Sequence, residues 1–192
     1  MRVGLRKPEA GAISQFLEAQ RHTTWSYEHV GATRGLIPTE YAVDHNRVQL
    51  GRGSRIFERA VDALRRWEMF NLGWVTLEPR DTPLEHGRDV AVLARVWPAW
   101  MLNACRIVYT VDERDPPRRF GFAYGTLGDH AESGEERFTI EWQADDTVWY
   151  DILAFSRPQH PLVRMAKPVA RMLQKRFARD SKQAMVRAAT KG

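Results

Sequence analysis

The hydrophobic positions change period along the chain. Behind Pro8, residues Ile13, Phe16 and Leu17 keep the i, i+3, i+4 spacing of a short amphipathic helix opened by proline. From 22 to 42 no period holds, and Gly31, Gly35 and Pro38 mark a long loop. Val43 to Leu50 alternates weakly, as a strand does, and ends at Gly51 and Gly53. Phe57, Ala60, Val61, Leu64 and Trp67 then return to helical spacing, with Ser54 in place to cap a helix reaching about Trp67. Beyond it the period becomes two. Strands are expected near 70–77, 89–97, 103–111, 118–126, 136–142 and 147–155, split by turn-rich pieces such as 113–117 and 144–146. Six strands with short connections predict an antiparallel meander.

The last stretch, 161–188, is helical again, with Met165, Val169, Met172, Leu173, Phe177 and Ala184 on one stripe. Pro168 interrupts it, so a first turn or two is expected from Pro161 and a main helix from near Pro168. About 20 residues at 1.5 Å each give a rod of roughly 30 Å, enough to cover a sheet of eight-residue strands once. The pattern therefore predicts an α+β chain: a curved antiparallel sheet of six or seven strands around one long C-terminal helix. A curved sheet gripping one helix leaves a gap, and a ligand fits there.

Composition narrows the classes. A chain of 192 residues with 43% hydrophobic and 28% charged side chains suits one folded domain, 1–192, with an N-terminal helical extension. The longest apolar run, near 90–102, is broken by Arg95 and Pro98, and the start of the chain has no apolar signal region. No transmembrane segment is expected. Cys105 stands alone, which excludes an internal disulfide and fits a reducing cytoplasm. Seven tryptophans suit a large core or an apolar pocket.

Four segments carry a resemblance: Tyr41-Ala-Val-Asp-His-Asn-Arg47, Phe120-Gly-Phe-Ala-Tyr-Gly-Thr-Leu127, Gly134-Glu-Glu-Arg-Phe138 and Val148-Trp-Tyr-Asp-Ile-Leu-Ala-Phe-Ser-Arg-Pro158. They are similar to the family catalogued as domain of unknown function nineteen-ninety, from about Phe16 to Met185. That family resembles the START-like, helix-grip (SRPBCC) superfamily of the birch-pollen allergen. The resemblance implies a β-α-β6-α topology around a hydrophobic cavity, matching the order of periods. It brings no agreed activity. Helix-grip chains usually place two short helices after the first strand, where this sequence offers one, plus a leading helix.

Candidate chemistry is sparse. No Gly-x-Ser-x-Gly, Walker-type or Rossmann glycine pattern occurs, and no cofactor is implied. His130-Ala-Glu132 resembles half a metal motif, but no second histidine follows at ligand spacing, so no metal is expected. Cys105, beside Ile107 and Val108, reads as a buried hydrophobe. Gly121, Ala123 and Gly125 read as small residues that let a neighbouring element approach. If 144–146 is a hairpin turn, Thr139 faces Asp151 and Glu141 faces Trp149. The opposite face carries Phe138, Ile140, Trp142, Val148, Tyr150 and Ile152. The apolar set is the simpler inner face. The alternative turns Glu141 and Asp151 inward with Trp149, Leu153 and Phe155. Burial would then raise both acids, and His45 on the neighbouring first strand would complete a proton-transfer group, with Tyr124 and Trp149 as walls.

Charge adds one more candidate. From Arg157 onward ten basic residues face one acid, Asp180, in a chain of net charge +5. Arg164, Lys167, Arg171, Lys175, Arg179 and Lys182 lie at helical spacing opposite the apolar stripe, where an anionic surface can meet them. No aromatics are interleaved for base stacking, so sequence-specific nucleic-acid binding is not expected. Three functions follow. The first is binding of a small hydrophobic or amphipathic ligand between sheet and helix. The second is a cofactor-free, cyclase- or hydrolase-like acid–base enzyme using His45, Glu141 and Asp151. The third is an interaction protein using the basic helix.

Overall fold

In the computed structural model, which describes residues 1–159 and 167–190, the elements run β1 (Arg2–Gly4), α1 (Ala10–Gln20), β2 (Ala42–Arg52), α2 (Ser54–Arg65), β3 (Val75–Glu78) and β4 (Asp89–Val96). They continue as β5 (Ala99–Glu113), β6 (Arg118–Thr126), β7 (Glu132–Trp142), β8 (Thr147–Pro158) and α3 (Lys167–Thr190). Seven strands form one antiparallel path, β2-β8-β7-β6-β5-β4-β3, and β1 pairs with the part of β5 that β6 leaves open. The α+β sheet curls around α3. The helical turns expected from Pro161 fall outside the described residues.

Three local features depart from the sequence pattern. The expected strand at 70–77 begins as a 3-10 turn, Glu68–Phe70, and only Val75–Glu78 pairs. Trp67, Met69 and Phe70 are all buried, so no alternation exists there, and Trp67 adopts a left-handed backbone while its indole donates to the Thr82 carbonyl at 2.8 Å. Ser54 is the first helical residue and not the cap. Gly53, with φ of 84°, holds that place, a conformation that favours glycine. The 22–42 loop contains a 3-10 turn at Ala32–Arg34.

Alternation along the strands sorts the core. The inner face of β6–β8 presents Phe122, Tyr124, Phe138, Ile140, Val148, Tyr150 and Ile152 to α2 and α3, where Phe57, Leu64, Met185 and Ala189 close over them. The apolar face thus lies inward. The Phe138 ring is fully buried among Phe70, Phe122, Tyr124 and Phe177. Polar contacts fix where α3 sits: Tyr150 and Ser181 hydroxyls meet at 2.9 Å, and Trp74 Nε1 donates to Asp180 Oδ2 at 3.0 Å. Arg171 grips both oxygens of Asp44, and Lys182 reaches Asn46.

The outer face is covered too. Ile13 and Phe16 of α1 pack on Ala91, Leu93, Leu102 and Ala104, while Tyr27 and Tyr41 enclose Phe155. Glu135 anchors this cover. It is 3% exposed and accepts from Tyr27 Oη (2.8 Å), the Gly31 amide (2.6 Å), the Thr33 amide (3.1 Å) and the Thr33 hydroxyl. Gly125 leaves room for the Tyr27 ring, since a Cβ there would overlap the phenol. The small residues of β6 therefore admit a loop from outside.

Candidate functional site

Between the inner face of the sheet and the first half of α3 lies a cavity of about 670 Å³. Its cause is local. The strands beneath this part of the helix carry Gly134, Ala154, Ser156, Ala94 and Ala99, all too small to fill the space. Apolar side chains make most of the wall: Phe70 and Val75 beside α2, Val92 and Met101 from β4 and β5, Leu173 and Phe177 from α3. The size lies within the roughly 300–1,000 Å³ usual for small-molecule sites.

Polar groups gather along one strip of the floor. Asp44, Ala154, Glu136 and Tyr124 form one cross-strand row over β2, β8, β7 and β6. Tyr124 Oη donates to Glu136 Oε2 at 2.9 Å. Burial pushes the Glu136 carboxyl up to about 7, eased by that hydrogen bond and raised further by Asp44. Burial and Glu136 push the Tyr124 phenol well above its ordinary value. Asp44 is neutralised by Arg171; among the described residues no Lys, Arg or His pairs with Glu136.

Glu132 and His130 continue the strip. Glu132 Oε2 is buried with no hydrogen-bond partner, and burial raises its carboxyl above the usual range. His130 Nδ1 accepts the Glu132 amide at 3.0 Å, which suits a neutral ring, and burial lowers the imidazole to about 4. Cys105 is fully enclosed and its thiol pushed up by burial, the setting of a packed hydrophobe.

Of the residues singled out from sequence, Tyr124 is in the cavity wall with its hydroxyl engaged. His45, Glu141, Asp151, Trp149 and Leu153 carry their side chains on the outer face. The expected pairings, Thr139 with Asp151 and Glu141 with Trp149, are present. His45 Nε2 lies 2.6 Å from Asp151 Oδ2, and Arg137 holds the other Asp151 oxygen at 3.2 Å. Glu141 is bound by Arg47 at 2.8 Å, whose guanidinium stacks on Trp149. His45 and Asp151 thus meet while Glu141 is held apart by Arg47 and Arg119, and all three lie on the convex side, because β7 and β8 turn odd-numbered positions outward. His45 and Phe155 border the cavity through their strands, while the Phe155 ring packs outside on Tyr27 and Tyr41.

The basic stripe of α3 is partly spent within the molecule: Arg171 on Asp44, Arg176 and Arg179 on Asp180, Lys182 on Asn46. No helix among the described residues is long and apolar enough to cross a membrane.

Comparison with known proteins agrees with the four sequence segments. The model of the family "Domain of unknown function (DUF1990)" matches residues 26–184. The chain belongs to that family. A UPF0548 protein of Dictyostelium discoideum is 35% identical over 202 residues, covering 95% of this chain and 94% of its own. Among solved structures, hypothetical protein jhp0584 from Helicobacter pylori is similar in fold, with a TM-score of 0.53 at 13% identity, covering 83% of this chain and 95% of that one. Human STARD10 has a TM-score of 0.49 at 9% identity, covering 95% and 81%.

Glu136 escaped the sequence reading. It stands in the run Gly134-Glu135-Glu136-Arg137, where polar residues occupy both faces of β7 and hide the alternation. The usable signal was its parity with Phe138 and Ile140.

Proposed function

We propose that this member of the DUF1990 family binds a small amphipathic molecule between its sheet and α3. One observation carries the reading: a cavity of about 670 Å³ has apolar walls and a single carboxyl–phenol pair, Glu136 and Tyr124, on its floor. Such a site recognises an apolar body by burial, about 25 cal/mol per Å² removed from water, and orients it by one or two polar contacts. Ile152, Leu173 and Phe177 would clasp the body; Tyr124 and Glu136 would meet the handle. The experiment is native mass spectrometry of protein purified from its own host, paired with titration of the neutral fluorophore Nile red. A retained small molecule that Nile red displaces is the expected result. Protein that comes without adduct and leaves Nile red dark would overturn the reading.

A further inference from the structure

We infer that the polar handle of the ligand is a cation, so that the cavity takes a lipophilic amine in preference to an alcohol or a fatty acid of equal length. This inference rests on the ligand-binding reading above and names its ligand class.

Glu136 reaches into a mostly apolar cavity with one neutral donor, Tyr124 Oη, and no cation pairs with it among the described residues, although Lys175 and Met1 also line the cavity. A buried carboxylate with so little compensation is costly, and a buried cation at its side removes most of that cost. Every other acid near it is either already matched or also short of a partner. Asp44 stands two strands away across Ala154, about 10 Å at the usual strand spacing, and is saturated by Arg171. Glu132, two inward positions along β7 with Gly134 between them, keeps a buried oxygen with no partner. The described cations of α3 do not pair with Glu136: Arg171 hydrogen-bonds Asp44 and Gln174 and acts on Glu132 through its charge, and Lys175 lines the cavity but is exposed. Among the described residues the remaining strands packed against Glu136 bring the high-pKa groups Tyr124, Tyr150 and Cys105, and the amino group of Met1, also in the cavity lining, donates to the Asp129 carbonyl. His130 is held neutral. The floor therefore presents Glu136, with no cation paired to it, and beside it Glu132, which has Ser156 and Arg171 as partners but keeps one oxygen unmatched. A carboxylate ligand would face them across a few ångströms, an alcohol could satisfy one, and an ammonium group satisfies Glu136 fully.

The test uses the intact protein and three probes that differ only in headgroup: decylamine, decanol and decanoate, each displacing Nile red below micelle formation near neutral pH. The expected result is that the amine displaces at a concentration about tenfold or more below the alcohol, with decanoate weakest. E136Q should bring amine and alcohol to within about threefold of each other, chiefly by weakening the amine. Amine binding to the wild type should also release protons to the buffer just below neutrality, as Glu136 ionises beside the ammonium. Equal displacement by amine and alcohol in the wild type overturns the inference even if E136Q does not fold. A preference for amine that persists in a folded E136Q places the selectivity elsewhere and overturns it too. Failure of all three probes together with Nile red is a different outcome: it removes the cavity-binding reading and this inference with it.

Discussion

Tyr124 and Glu136 are direct cross-strand partners whose side chains meet inside the cavity, phenol to carboxylate at 2.9 Å. A neighbouring phenol donates one hydrogen bond but no charge. Burial outweighs that bond, and Glu136 holds its proton to about pH 7, well above an ordinary glutamate.

A pH dependence follows from Glu136 and His130 together. Between about 4.5 and about 7 the folded state keeps a proton on Glu136 that the unfolded chain has lost, so this group lowers stability as pH rises. His130, pushed from 6.5 down to about 4 by burial and by the Met1 amino group, acts in the opposite sense over almost the same window. Wild-type stability should change little there on account of this pair. E136Q should unmask a rise with pH of at most about 1.4 kcal/mol per unit, and His130→Asn a fall. Urea midpoints across that window, taken as variant minus wild type, check both signs.

The two faces of β8 can be separated by neighbouring substitutions. Ile152 points into the cavity, while Asp151 points outward between His45 and Arg137. Ile152→Asn should weaken Nile red binding by about tenfold or more. Asp151→Asn should leave it within about twofold, although removing the carboxylate from Arg137 lowers the melting temperature. Loss of binding on Asp151→Asn would instead tie the outer network to the ligand.

Filling the floor should empty the site. Ala154 sits between Asp44 and Glu136 in the cavity row. Ala154→Phe places a ring in vacant space, so Nile red fluorescence should fall to background while urea stability stays within about 1 kcal/mol.

Glu135, Tyr27 and Gly125 form one unit on the outer face. Glu135→Ala leaves four donors without their acceptor and should cost about 2–4 kcal/mol in urea denaturation. Gly125→Ala evicts the Tyr27 ring and breaks the same bond. The double variant should therefore be clearly less destabilised than the sum of the two, a coupling that a double-mutant cycle measures.

Much of this was legible in the chain. Period two from β4 to β8 and the stripe of α3 specify a meander and a covering helix, and the 144–146 turn sets Thr139 opposite Asp151 as paired. Reading Phe138, Ile140, Tyr150 and Ile152 as the inner set already placed Glu141 and Asp151 outside. What resisted was longer in range. Residues 22–42 have no period because their partners, Glu135 and Phe155, lie more than a hundred positions away in sequence. Glu136 was obscured by an acid on each side of β7, each buried for a different reason: one bound by four protein donors, the other facing empty volume.

The cover on the convex side changes what the sheet is. With Phe16, Tyr27 and Tyr41 packed against its back, the sheet is the middle layer of three, held between two covers. Its bend fixes how far α3 stands from Ala154 and Gly134. A substitution under the N-terminal cover can thus widen or narrow the cavity without touching it, so the shape of the bound molecule is adjustable from the far side of the wall.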